Sequence, residues 1–292
     1  MSIDKLQDKI RKLKNPSVLD FDLLPEHIPP HIQERDTYFL AAYEYFSTEL
    51  LKGLKGILPS VRFSLSTMSL YGQEGLIVLS NLLRTARNLG YYILLDIPDV
   101  FSVRAAKRSA QQLLSGGDSL EFDGLVISAY IGSDAIRPYC EIMRDTDKDL
   151  FVLVRTANKT APELQDLLTG SRHVHMAAAD LVNRLAEPMT GRSGYSRVAA
   201  VAAASSAESA RMLRSKYKSL FLLLDGYDYP NANAKNCSNA FDQLGHGAIA
   251  CAGTSITAAW QNFPLQEQNF VQLAVEAAER MRKNLLRYIT IF

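Results

Sequence analysis

The sequence predicts an α/β protein folded as one (β/α)8 barrel, the TIM barrel, and three observations predict it. Eight short aliphatic runs recur along the chain. Helical patterns lie between them, and this alternation is what a parallel sheet of βα units requires. The length, 292 residues, suits one large barrel, and no break in composition marks a second domain, so residues 1–292 are expected to form a single unit.

The elements follow in order. MSIDKLQDKIRKLKN reads as a charged amphipathic helix over about residues 2–14. SVLDFDL (17–23) is the first strand, and the helix TYFLAAYEYFSTELLKGL comes after it. Its aromatic residues have no basic residues between them, so they belong to a helix core rather than to a base-stacking platform. LPSVRFSLS (58–66) is the second strand; the helix EGLIVLSNLLRTARNLG then ends on a glycine cap. YYILLD (91–96), GLVISAY (124–130) and LFVLVRT (150–156) are strands three to five, with SDAIRPYCEIMRD helical between the last two. RVAAVAAAS (197–205), the helix AESARMLRSKYK, SLFLLLDG (219–226) and GAIACAGTS (247–255) complete the strand count. A long helix over about residues 265–290, QEQNFVQLAVEAAERMRKNLLRYI, closes the ring.

Composition narrows the function. Lys plus Arg number 32 and Asp plus Glu 31, a balance that offers no long-range attraction for nucleic acid. The three cysteines, Cys140, Cys237 and Cys251, form no CxxC pair and fit a reducing compartment as small buried hydrophobes. The N-terminus has no signal-peptide apolar core, and no apolar run approaches the roughly 18 residues of a membrane span, so a soluble cytoplasmic protein without membrane contact is expected. No GxGxxG or GxxxxGK[ST] loop is present, so no cofactor held by such a loop is expected. The one histidine pair, His173 and His175, is read as sharing a strand face; it lacks a third ligand nearby, so no metal site is assigned.

In a barrel of this kind chemistry sits at the carboxyl ends of the strands. There stand Asp22, Arg62 to Ser66, Asp96, Ser128 and Tyr130, Arg155 to Asn158, Ser205, Asp225 to Asp228, and Gly253 to Ser255. Carboxylates and arginines at a barrel mouth suit a polar ligand but do not spell out a reaction. A lone strand-end aspartate is as often a cap, and Arg155 can equally pair with a helix carboxylate.

The runs NPSVLDFD, FDGLVISAYIGSDAIRPY, LFVLVRTANKTAPELQDLL, GYSRVAAVAAASSAESARMLR and AFDQLGHGAIA together resemble orotidine 5'-phosphate decarboxylase, in its longer bacterial subgroup. The resemblance implies a barrel of the pyrimidine (UMP) pathway with a Lys, Asp, Lys, Asp array: one lysine ending the second strand and a DxKxxD motif ending the third. Carried over by position, the first lysine falls on Arg62 and the first aspartate on Asp96. The second lysine, which in the family protonates the carbon that loses carbon dioxide, falls on Pro98. The last aspartate, which the resemblance places in the partner subunit's site, falls on Phe101, and the threonine after it on Ala105. Asp22 matches the family's ribose-contacting aspartate, while the family asparagine and proline after strand four become Ser128 and Ala129.

The phosphate grip implied by the resemblance is altered as well. Gly226 and Tyr227 persist, but Asp228 brings a negative charge, Pro230 replaces a glutamine and Thr254 an arginine. The backbone amides of Gly253, Thr254 and Ser255 remain for a weak anion such as a nucleotide or sugar phosphate. Arg62 and Asp96 are read either as a barrel-floor ion pair or as the remnant of a sugar or base pocket, with Asp22 beside them. No catalytic residue is assigned with assurance. The expected function is a non-decarboxylating binding or regulatory homologue, a homodimer or a heteromer with a pyrimidine-pathway enzyme; the alternative is an active lyase with a rebuilt site. Lys107, placed about three turns into its helix, is expected to point away from the mouth.

Overall fold

The computed structural model describes residues 2–35, 38–98, 100–115, 120–264 and 269–292. Eight parallel strands close a barrel: β1 (Ser17–Asp20), β2 (Ser60–Ser64), β3 (Tyr92–Asp96), β4 (Gly124–Ser128), β5 (Asp149–Leu153), β6 (Val198–Ala203), β7 (Leu222–Asp225) and β8 (Ala248–Ala252). Each strand overlaps the run the sequence assigns to it. Strands buried on both faces need continuous apolar runs rather than alternation, and all six residues of β6 are buried.

The helices are α1 (Ser2–Leu13), α2 (Pro30–Arg35), α3 (Phe39–Gly53), α4 (Leu65–Ser69), α5 (Gly72–Leu89), α6 (Val103–Ser115), α7 (Ser133–Met143), α8 (Val174–Ala186), α9 (Ala207–Lys216), α10 (Ala234–Ser238), α11 (Thr254–Thr257) and α12 (Phe270–Leu286). The glycine cap expected after α5 is Gly90, at φ 86°. α12 is shorter than the 265–290 reading; residues 265–268 lie outside the described residues. At its other end the chain leaves the helix so that Ile289 and Ile291 pack into the core.

The lower half of the barrel is filled by rings. Tyr92, Phe151 and Phe221 meet edge to face, with centroids 6.5 and 6.3 Å apart. Gly124 makes room for them: a Cβ there would stand 2.8 Å from Phe151 Cε2 and 2.9 Å from Leu94 Cδ2. α1 closes this end, burying Ile3, Leu6 and Ile10 completely, each worth about 1.5–3 kcal/mol. Its Gln7 side chain accepts from the Gly247 amide at 3.1 Å, and Asp4 accepts from Ser193 at 2.9 Å.

Between β5 and β6 the chain makes a long excursion that includes a two-residue hairpin, Leu168–Thr169 with Arg172–His173. Here the reading of His173 and His175 as one strand face is corrected. Helix α8 starts at Val174, so the hairpin ends between them. The rings still stack, 5.3 Å apart at 8°. Among the described residues no helix is long and apolar enough to cross a membrane.

Candidate functional site at the barrel mouth

The parallel register decides which polar groups meet. Asp20 lies opposite Arg62, and Arg62 opposite Leu94; Ser64 lies opposite Asp96, one inward-facing layer nearer the mouth. The Arg62 guanidinium donates to Asp20 and bridges to Asp225 at 3.0 Å. Its side chain is only 12% exposed. Burial works against its charge, but the two carboxylates outweigh that and hold its pKa well above the ordinary value.

The expected Arg62–Asp96 pair is not formed. The register offers Arg62 a carboxylate on each of two other strands before it reaches Asp96. Asp20 is therefore the residue that sequence reasoning missed. The signal was available: an inward arginine needs a counter-ion, and Asp20 shares strand parity with Asp22.

Asp96 stands apart with different chemistry. Burial pushes its carboxyl up to about 6; the Ser64 hydroxyl and the Arg62 charge oppose this, while Asp20 and Asp22 add to it. Among the described residues its Oδ1 is buried without a hydrogen-bond partner. A carboxyl of that pKa exchanges protons near neutrality, as an acid–base group must.

The other strand-end groups are used by the chain itself. Asp22, two residues beyond β1, accepts from the Thr67 hydroxyl at 2.8 Å. Asp228, in the segment after β7, accepts from the Gly253 amide, so one amide expected to face an anion already holds a carboxylate. Gly226 sits at φ 72°. Tyr227 donates its amide to the Cys251 carbonyl at 2.9 Å, and burial lifts its phenol to about 12. Thr254 and Ser255 open the short α11 and are exposed.

Cys251 is buried beside the ion pairs, where burial pushes its thiol well above the usual range. With Asp20 and Asp225 it brings potential ligand atoms within 4.8 Å of one another. Both carboxylates are already bridged by Arg62, so the arrangement is a salt-bridge cluster with a protonated thiol at its edge.

After β3, Pro98 is exposed, Phe101 is 91% exposed, and Ala105 is half-buried in the first turn of α6. Neither Pro98 nor Phe101 fills the barrel mouth. Lys107 lies little more than one turn into α6, not three, because the helix starts at Val103; it is exposed. Arg155 forms a two-pronged pair with Asp166 at 3.1 and 2.9 Å. That partner belongs to a turn, not a helix. His175 Nδ1 approaches the same carboxylate at 3.2 Å, and His173 Nδ1 the Asp166 carbonyl at 2.7 Å.

No family model matches the chain. An orotidine 5'-phosphate decarboxylase of Petrotoga mobilis is 26% identical over 98% of each chain. That of Clostridium acetobutylicum is also 26% identical, over 98% of this chain and 99% of its own. The chain is thus similar, over nearly its whole length, to curated orotidine 5'-phosphate decarboxylases. The solved orotidine 5'-monophosphate decarboxylase of Plasmodium berghei, 13% identical, superposes with a TM-score of 0.78 over 98% of both chains, which shows the shared barrel. In this chain Asp20, Asp96 and Asp225 end their strands, Asp22 and Asp228 lie just beyond, and the one Arg62 guanidinium is paired with two of these carboxylates. Even with Asp96 protonated, this set is net negative.

Proposed function

We propose that this chain is a binding or regulatory barrel that does not decarboxylate orotidine 5'-phosphate. The observation that carries the reading is the charge at the mouth. Five carboxylates stand at or just beyond the strand ends, the Arg62 guanidinium is already occupied by Asp20 and Asp225, and the residue two beyond Asp96 is the exposed Pro98. Loss of carbon dioxide leaves a carbanion that a positioned cation must offset. Proline supplies neither proton nor charge.

The phosphate side supports the same reading. In barrels of this type phosphate is often held by the loops after strands seven and eight, and here Asp228 and Gly253 from those loops are bonded to each other. Purified protein should release no labelled carbon dioxide from carboxyl-labelled orotidine 5'-phosphate above the buffer rate. Turnover at even a modest rate ends the proposal.

One observation favours a second reading, a lyase with a rebuilt site: Asp96, with a carboxyl near 6 and an unpartnered Oδ1, is equipped for acid–base work. A thermal-shift screen of nucleotides and sugar phosphates tests it, because a ligand raises the midpoint as its concentration passes the dissociation constant. The reading requires a hit that Asp96→Asn abolishes; a flat screen removes it.

Self-association is supported by apolar exposure. Phe101 after β3 and Leu70 after β2 are 91% and 83% exposed, on the connections that follow neighbouring strands. Phe101→Asp should raise the monomer fraction in sedimentation velocity, and an unchanged fraction counts against a dimer through this face. Association with a pyrimidine-pathway enzyme would use the same surface and would appear as a mixed species in the same experiment.

A further inference from the structure

The opposite end of the barrel, where the strands begin, has an opening of its own. It is a cavity of about 180 Å³ beside the starts of β2 and β3, and its walls include Lys9, Lys12, Lys55, Pro59, Leu89 and Tyr91. The C-terminal ends of three helices meet there: Leu13 of α1, Lys55 just beyond α3, and Leu89 with its cap Gly90 at the end of α5.

Charge decides what this opening can hold. Each helix C-terminus carries about half a negative charge. Three ammonium groups outweigh three such ends, so the opening is net positive, and among the described residues no carboxylate lines it. The acids of the surrounding elements are engaged elsewhere: Asp8 pairs with Arg192 at 2.5 Å, Glu49 with Lys52 at 2.7 Å, and Asp123 with Arg87 at 2.8 Å. Lys12 and Lys55 are exposed, and among the described residues neither has an ion-pair partner.

Lys9 differs from these two. It is half-buried, and its amine donates to the Gly90 carbonyl at 2.5 Å, which holds it against the α5 cap and leaves two of its three N–H groups outside that bond. Burial works against its charge; Asp123 opposes this, while Lys12 and Arg87 add to it, and the balance holds its pKa below the ordinary lysine value. An anion shared between Lys9 and Lys12 relieves that repulsion. The walls are fixed beforehand: the Tyr91 hydroxyl donates to the Leu51 carbonyl at 2.7 Å, and Asn15 Nδ2 donates to the Ile57 carbonyl at 2.8 Å. A pocket held this way loses little entropy on binding.

We propose that this cavity binds a compact polyanion, a pyrophosphate group, with Lys9 at its floor and Lys12 and Lys55 at its rim. Three ammonium groups match such a charge better than the roughly −1.5 to −2 of one phosphate. The volume lies below the roughly 300–1,000 Å³ of sites for drug-sized ligands, so the anion itself, not a ring attached to it, fills the space. The site is on the face away from the strand ends and stands whether or not the barrel mouth has any activity.

The test is calorimetric titration of the full-length protein, at low salt and without magnesium, with pyrophosphate, inorganic phosphate and adenosine 5'-diphosphate. Pyrophosphate should saturate with a dissociation constant on the order of 0.1–1 mM, and phosphate should bind about tenfold more weakly. The diphosphate carried on a nucleoside should bind no more tightly than pyrophosphate. Lys12→Glu and Lys55→Glu should each weaken pyrophosphate binding about tenfold or more, whereas Lys55→Arg should keep it; both positions are exposed, and unchanged melting curves verify the fold. No saturable binding of pyrophosphate overturns the proposal, as does binding that ignores both charge reversals. Adenosine 5'-diphosphate binding more than tenfold tighter than pyrophosphate also overturns it, because the site would then be reading a nucleoside.

Discussion

Replacing Asp96 with asparagine measures what the barrel mouth spends to keep a carboxyl there. Burial lifts that group from 3.8 to about 6. A rise of about two units corresponds to about 3 kcal/mol, and solvent screening at a half-buried position reduces this to about 1.5–2 kcal/mol. The folded state holds the proton more tightly than the unfolded chain does. Both are protonated well below pH 4, where the group costs nothing; both are ionised above about pH 6, where the fold carries the whole cost. Stability contributed by protonated Asp96 is therefore lost as pH rises between those limits. Asp96→Asn should stabilise the protein by about 1.5–2 kcal/mol at pH 7.5 and by about one third of that at pH 4.5. In melting temperature the gain at pH 7.5 is about 3 °C. Urea unfolding of both proteins at several pH values reads the difference. A variant no more stable than its parent at pH 7.5, or a gain that ignores pH, would show that the carboxyl is not strained by burial.

Three further outcomes follow from the packing. Arg62→Met leaves Asp20 and Asp225 facing each other without a cation and should cost about 3 kcal/mol in urea unfolding; adding Asp20→Asn and Asp225→Asn should recover most of it, and no recovery would mean the loss is one of packing. Gly226→Ala puts a Cβ 2.3 Å from the Tyr229 ring at a φ of 72°, so a loss of about 2–4 kcal/mol is expected; a change under about 0.5 kcal/mol would remove the case for a tight Gly226–Tyr229 contact. Gly124→Val drives side-chain atoms into Phe151 and Leu94 and should lower the unfolding midpoint by about 2–4 kcal/mol equivalent; a neutral result would show that the aromatic layer can shift.

The barrel was legible because its signal is local. Each strand is a buried aliphatic run of four to six residues, and neither helix caps nor loops are needed to find it. The charge cluster was not, because it depends on register. Arg62 and Asp96 look like partners when read along neighbouring strands, yet Arg62 is opposite Leu94, and its carboxylates come from β1 and β7. The end of α12 was overrun because Ile289, four residues after Leu285, fits a helical pattern as well as it fits the core.

The ring joins the two ends of the chain: β1 is hydrogen-bonded to β8, with Val18 opposite Cys251 and Leu19 opposite Ala252. Across that seam Arg62, on β2, reaches both Asp20 and Asp225. On the ribosome β1 therefore waits without its second neighbour until β8 has emerged. The arginine can pair with Asp20 as soon as β1 and β2 meet, but it engages its second carboxylate only once β7 has docked, so it fastens the seam late, as a clasp does.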